Sequence, residues 1–273
     1  MQAGQQPSPT NAHPWLVPFK QFTTYADETV ALVNLSINGL RRIIAWPDFL
    51  KAAFHLDDSD DSVAEANRQA ELARPEVERD FPLLHAHALL GLWSGLEALV
   101  EDSAVAWLLA KPDILQRPEF SKIRIPIGEY RLLAPESQMS YIINEVQRDI
   151  RLMPGITRFE RLLNLIGLGG AVSDEELRKA IYEAQQVRNA LAHRGGLADR
   201  KLLEACPWLG LKHGQPLHVT HERFLYYRNA IYIYTGDVLN RFRIHEGMEP
   251  IVHNRPPLNT MVEEVETSST SPE

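Results

Sequence analysis

SDEELRKAIYEAQQVRNALAHRGG, residues 173–196, reads as one punctuated helix. Ser173 and Glu176 have the spacing of a capping box, in which the serine accepts the N–H of the residue three ahead and the glutamate reaches back to accept the N–H of the serine. Leu177, Ala180, Ile181, Ala184, Val187 and Leu191 then recur every three or four residues and form one apolar stripe. Gly195 and Gly196 stand where a helix closes into a left-handed turn.

The same period runs outward from this segment. Residues 82–110 begin with Pro82 at a first-turn position. They carry Leu89, Leu92, Trp93, Leu96, Leu99 and Val100, the strongest core helix of the chain. Residues 27–46 place Val30, Val33, Ile37, Leu40 and Ile44 on one face, and Pro47 is expected to stop that helix. A more polar segment spans 62–73. Residues 123–133 look irregular, and 135–152 and 157–168 read as two further helices, the second ended by Gly169 and Gly170. Residues 215–220 suit a short extended lead-in. The final segment, 221–245, reads as a helix rich in tyrosine, although Val, Ile and Tyr also favour strands. The expected fold is an all-α helical bundle with extra N-terminal helices. Its single helical domain spans 19–246. A Gln/Pro/Ser-rich arm (1–18) and an acidic tail (247–273) are expected to be disordered.

Composition narrows the function. Hydrophobic residues make up 44% and charged residues 23% of 273 residues, a globular balance. The single cysteine, Cys206, excludes a disulfide scaffold and a cysteine zinc knuckle. The apolar run 83–100 is interrupted by His85, His87 and Glu97, which argues for a buried helix rather than a membrane span. With no secretory leader in view, a cytoplasmic location without a membrane partner is expected. The net charge is −8, but Asp57, Asp58, Asp60 and Asp61 supply −4 and the stretch from 247 onward another −4. The body is formally neutral and can carry a local basic site. P-loop, dinucleotide fingerprint and nucleophile-elbow patterns are lacking.

The chemistry-bearing string is Val187-Arg188-Asn189-Ala190-Leu191-Ala192-His193-Arg194-Gly195-Gly196. Asn189 and His193 are i and i+4 and share a face. Arg188 and His193 diverge by about 140° on an ideal helix. They converge only if the helix loosens near His193 or a second subunit completes the site. An imidazole exchanges a proton near neutral pH, a guanidinium forks onto phosphate oxygens, and an amide orients either. Together they suit RNA cleavage by the ribose 2′-hydroxyl without metal or cofactor, leaving a 2′,3′-cyclic phosphate and a 5′-hydroxyl. The pattern Arg-Asn-x-x-x-His occurs once. Chance alone would give it in about one in a hundred chains of this length. A looser copy, Arg79, Asp80 and His85, is discounted because Pro82 falls inside it.

This string resembles the signature of the HEPN superfamily, and most closely its RiboL-PSP-HEPN group, over roughly residues 82–245. The stretch Leu90-Gly91-Leu92-Trp93-Ser94-Gly95-Leu96-Glu97-Ala98-Leu99 is similar to that group's earlier core helix. The resemblance implies a bundle of four or more helices that dimerises so that two motifs face one cleft. It also implies a metal-independent endoribonuclease of the toxin or phage-defence kind, acting on RNA as a homodimer with an antitoxin or nucleotidyltransferase partner. Some members have instead lost catalysis and only bind a nucleotide, RNA or protein. The site residues are then Arg188, Asn189 and His193 as catalytic groups and Arg194 as a substrate contact.

Other residues have plainer readings. Arg178, Lys179, Arg200 and Lys201 either extend a basic rim or, for the first two, pair with nearby acids. His213, His218 and His221 are expected in a surface loop, and His85 and His87 on a polar rim. Glu97, inside an apolar helix, either orients a catalytic group or pairs with a buried arginine; the structural role is favoured. Gly91 and Gly95 suit close helix approach. The tyrosines of 221–245 either stack bases or fill the core.

Overall fold

A computed structural model describes residues 13–150, 153, 155–170, 172, 174–252 and 258. Among these residues the chain is all-α, with α1 Leu16–Phe54, α2 Asp61–Glu78, α3 Pro82–Ala110, α4 Ile127–Tyr130, α5 Pro135–Ile150, α6 Ile156–Leu165, α7 Glu175–Arg194, α8 Arg200–Ala205 and α9 His221–His245. The extended character expected before α9 is limited to one antiparallel bridge, Leu197 with Pro216.

Helix α3 is the axis of the bundle, packed against α1, α5, α6, α7 and α9. Leu89, Leu92, Trp93, Leu96, Val100, Ala104, Trp107 and Leu108 are fully buried. By length and composition alone α3 is apolar enough to cross a membrane. Gly91 and Gly95 admit α1: a methyl group at Gly91 would sit 2.2 Å from the Tyr25 hydroxyl, and one at Gly95 3.2 Å from the Phe22 ring. A side chain at Gly91 would push the exposed end of Tyr25 aside, and one at Gly95 would press on the buried Phe22 ring, so Gly95 is the tighter of the two contacts between α1 and α3.

Both prolines inside the N-terminal hairpin are overridden. Helix α1 runs through Pro47 to Phe54, and α2 runs through Pro75 to Glu78. An internal proline costs about 3 kcal/mol. Along α1, Pro47 and Leu50 are buried, and Leu50 clusters with Val63 and Ala66 of α2, so tertiary packing holds the helix past its breaker. The N-terminal boundary also moves. Trp15 is 1% exposed and stacks on Phe242 at 5.1 Å. Residues 13–18 are thus part of the body, while 1–12 lie outside the described residues. At the other end Asn240 holds the backbone of Ile251 through two hydrogen bonds, 2.9 and 2.7 Å.

The α2–α3 corner is built on unusual backbone. Asp80 and Phe81 are consecutive left-handed residues, with φ of 62° and 55°. Bulky side chains rarely adopt this conformation. It is fixed here by the Phe81 N–H donating to Glu76 O at 2.7 Å and by the Glu76 carboxylate accepting the N–H groups of Leu83 and Leu84 at 2.8 and 2.9 Å. The corner turns His85 inward. That residue is not on a polar rim: it is fully buried, and Nε2 lies 3.1 Å from Nδ1 of His221. His221 is correspondingly not in a loop but opens α9, half-buried, whereas His87, His213 and His218 are exposed.

Helix α6 ends at Leu165 rather than at Gly169, because Gly167 (φ 85°) takes the left-handed position and the Leu168 N–H returns to Leu163 O at 2.8 Å. That is a glycine-closed helix end.

Candidate functional site

Helix α7 starts from Asp174, whose side chain accepts the Leu177 N–H at 3.0 Å. Ser173, the expected cap, lies outside the described residues. The helix ends as the sequence indicates, on Gly195 with φ 62°. Between these caps it is unbroken through Arg194. It does not loosen at His193, so the first of the two routes to convergence is closed.

Arg188 shares a face with Ile181 and Ala184, which are buried. That face is turned to α3. The Arg188 side chain is 22% exposed and its Nη2 lies 3.5 Å from Glu97 Oε2, while Nη1 donates to Asn189 Oδ1 at 3.2 Å. Its Nε is buried without a hydrogen-bond partner. Glu97 also accepts from Arg158 of α6 at 2.7 Å, and Arg158 reaches on to Glu101 at 3.1 Å. Glu97 therefore takes the structural role favoured for it, pairing with the nearly buried Arg158, and it also lies against Arg188. Glu101 and Arg158 are members of this cluster that sequence reading missed. Glu101 carried a signal, since it stands one turn after Glu97; Arg158 carried none.

His193 lies on the other side of α7, on the face of Gln186 and Asn189, and is exposed. The structure brings Arg188 and Asn189 together, while His193 stands one turn beyond Asn189 and makes no hydrogen bond to either residue. Arg194 is exposed and engaged: its Nε donates to Asp199 Oδ2 at 3.1 Å, tying the end of α7 to the residue that caps α8. Lys179 forms no ion pair with the acids before it; its ammonium sits 4.6 Å from the centre of the Trp208 ring.

A second polar cluster was not foreseen. Glu183, 2% exposed, accepts from Tyr227 Oη at 2.7 Å, from Arg223 Nη1 at 2.9 Å and from Trp208 Nε1. Its signal lay in the sequence: an acid placed in the apolar stripe between Ala180 and Val187. The cluster underlies a cavity of about 510 Å³ on the side of Lys179 and Val187, which does not include Arg188 or His193. Two of the four α9 tyrosines fill the core, while Tyr226 and Tyr232 are half-buried and line cavities. Tyr227 and Tyr234 are fully buried, and Tyr234 and Tyr232 donate to Glu160 and Asp27 at 2.9 and 2.7 Å. Burial first, then the neighbouring carboxylates, keep the Tyr227 and Tyr234 hydroxyls protonated far above their ordinary range. Burial likewise pushes the Cys206 thiol up to about 12, which removes it as a nucleophile.

No family model, no curated protein and no solved structure matches the chain.

Proposed function

We propose that the chain is a metal-independent endoribonuclease of HEPN type that acts as a homodimer, in a toxin or phage-defence setting. One observation carries this reading. Arg188 and Asn189 are held as a pair at the α3–α7 seam, backed by Glu97, on the same unbroken helix that presents His193 to solvent. Because the two side chains diverge by about 140° on one helix, the scissile phosphate sits between two copies of α7. The imidazole of one copy takes the proton of the 2′-hydroxyl, and the 2′-oxygen attacks phosphorus. The bond to the 5′-oxygen then breaks and that oxygen receives a proton from the second imidazole. Arg188 faces the charge growing on the non-bridging oxygens.

The test is a mixing experiment. The wild type is expected to cut single-stranded RNA in EDTA and leave cyclic-phosphate ends. Arg188→Ala and His193→Ala are each expected to lose about 100-fold or more in rate. Combined as heterodimers they are expected to regain part of the activity. Strict metal dependence, 3′-hydroxyl products, or no recovery in verified heterodimers would overturn the proposal.

A second reading rests on a specific observation: Arg188 already has a carboxylate partner in Glu97, and His193 points elsewhere. On that reading the module keeps the string but only binds RNA, a nucleotide or a protein. Retained RNA binding without cleavage in the same assay distinguishes it.

A further inference from the structure

A different part of the molecule carries an unbalanced charge. Arg228 of α9 is largely withdrawn from water, and burial disfavours its charged form. Buried guanidinium groups are normally paired with a carboxylate. Arg228 has none among the described residues: its Nε and Nη2 both donate to the neutral Oδ1 of Asn229, at 3.1 and 2.8 Å. The nearest acid in the same cavity, Asp27, is taken by the Tyr232 hydroxyl at 2.7 Å and makes no ion pair with Arg228. These two donations also fix Asn229, turning its Nδ2 inward, where it is buried and unpartnered.

Arg228 is not alone. Arg41 of α1 makes no ion pair among the described residues either, and stands 5.4 Å from the centre of the Phe81 ring. Both arginines weigh on His221, which lies two turns before Arg228 on α9. Tyr232 meets Asp27 and His221 neighbours Arg41, so α1 and α9 run antiparallel past one another. Between them lies a cavity of about 500 Å³. Its lining includes Arg228, Asn229 and Asp27 as polar groups and Val30, Ala31 and Ile233 as apolar ones. This volume, with an apolar stretch and a polar stretch that holds Arg228 and the Tyr232-bound carboxylate of Asp27, is that of a small-molecule site.

We propose that the α1–α9 cavity binds a small phosphate monoester, its phosphate on the Arg228 fork and its apolar or aromatic body against Val30, Ala31 and Ile233. A guanidinium whose remaining N–H groups lack an anionic acceptor matches a phosphate in geometry and charge. The site is remote in sequence from Arg188 and His193, and this inference does not rest on the ribonuclease reading.

The test uses the full chain, thermal unfolding and calorimetry, with inorganic phosphate, phenyl phosphate and benzoate as probes. Phenyl phosphate at about 100 times its Kd is expected to raise Tm by about 5–10 °C. It is expected to bind about 10-fold or more tightly than inorganic phosphate, and than benzoate. Arg228→Met is expected to abolish the phosphate response while still unfolding cooperatively, its ligand-free melting temperature set by two opposed effects, loss of an unpaired charge and loss of both donors to Asn229. Ala31→Trp, at an exposed α1 position that fills the apolar stretch, is expected to weaken phenyl phosphate about 10-fold and leave inorganic phosphate unchanged. No response to either phosphate, an unchanged response in Arg228→Met, or benzoate binding as well as phenyl phosphate would overturn the proposal.

Discussion

Arg158 and Arg188 both touch Glu97, and their removal should have very different consequences. Arg158, with its side chain 15% exposed, is the sole bridge between Glu97 and Glu101, which stand one turn apart on α3. Arg158→Met leaves those carboxylates, 21% and 32% exposed, facing one another. Breaking a fully buried pair costs about 3–5 kcal/mol and an exposed one about 0–1. At this partial burial the loss is about 2–3 kcal/mol, or a fall in Tm of about 4–12 °C for a domain of this size. Arg188 is different. Its contact to Glu97 is long, 3.5 Å, and Glu97 keeps Arg158 at 2.7 Å when Arg188 is gone. Its Nε is buried without a partner, so Arg188→Met also removes an unsatisfied donor. The expected cost is about 0–1 kcal/mol, a shift in Tm of no more than about 4 °C. Thermal unfolding followed by far-ultraviolet circular dichroism measures both. If Arg188→Met were as damaging as Arg158→Met, Arg188 would be a structural residue and the nuclease proposal would lose its support.

Two further outcomes follow from the buried polar groups. Glu183→Ala strands Tyr227, Arg223 and Trp208 together and is expected to cost about 3 kcal/mol, while Glu183→Gln, which keeps an acceptor, should cost less; equal losses would mean the volume matters and the hydrogen bonds do not. The His85–His221 pair makes stability pH-dependent: burial holds both imidazoles below their ordinary 6.5, so as pH falls through about 6.5 the unfolded chain takes up protons that the folded one refuses. Stability is therefore full above that pH and declines below it. Tm should drop between pH 7.5 and 5.5, and less so in His221→Asn; a flat profile in the wild type would refute the assignment.

How much of this was legible in the sequence depended on the range of the interaction. Helices α3 and α7 could be read because their apolar period and their end signals are local. Pro47 misled for the same reason: a proline's cost is local, but the packing of Leu50 on Val63 and Ala66 that offsets it is not. His85 was misplaced because nothing in Asp80-Phe81 announces two left-handed residues; the corner is held by Glu76, which reaches forward seven and eight residues. Within the candidate site, Asn189 beside Arg188 was local and readable, and Glu97 was conspicuous as an acid in an apolar helix. Arg158 reaches Glu97 across 61 residues, and no pattern links them. Arg228 is the extreme case, since what singles it out is a missing partner, which only the folded chain reveals.

The geometry of α7 also narrows what the motif can be. Its caps lie at both ends, on Asp174 and Gly195, and every turn between them is helical, so the angle between Arg188 and His193 is fixed by helix geometry. A single chain then offers a phosphate either the guanidinium at the α3–α7 seam or the imidazole on the open face, not both. The seam supplies rigidity, because Glu97 and Asn189 hold the guanidinium in place before any ligand arrives, and the open face supplies access. Cleavage needs both properties at one phosphorus atom, so it requires the open face of one α7 beside the seam of another. Binding needs only one of them. Subunit mixing thus separates the two readings more sharply than any single substitution, because loss of activity in Arg188→Ala or His193→Ala fits a site within one chain as well as a shared one, whereas recovery in the heterodimer fits only the shared one.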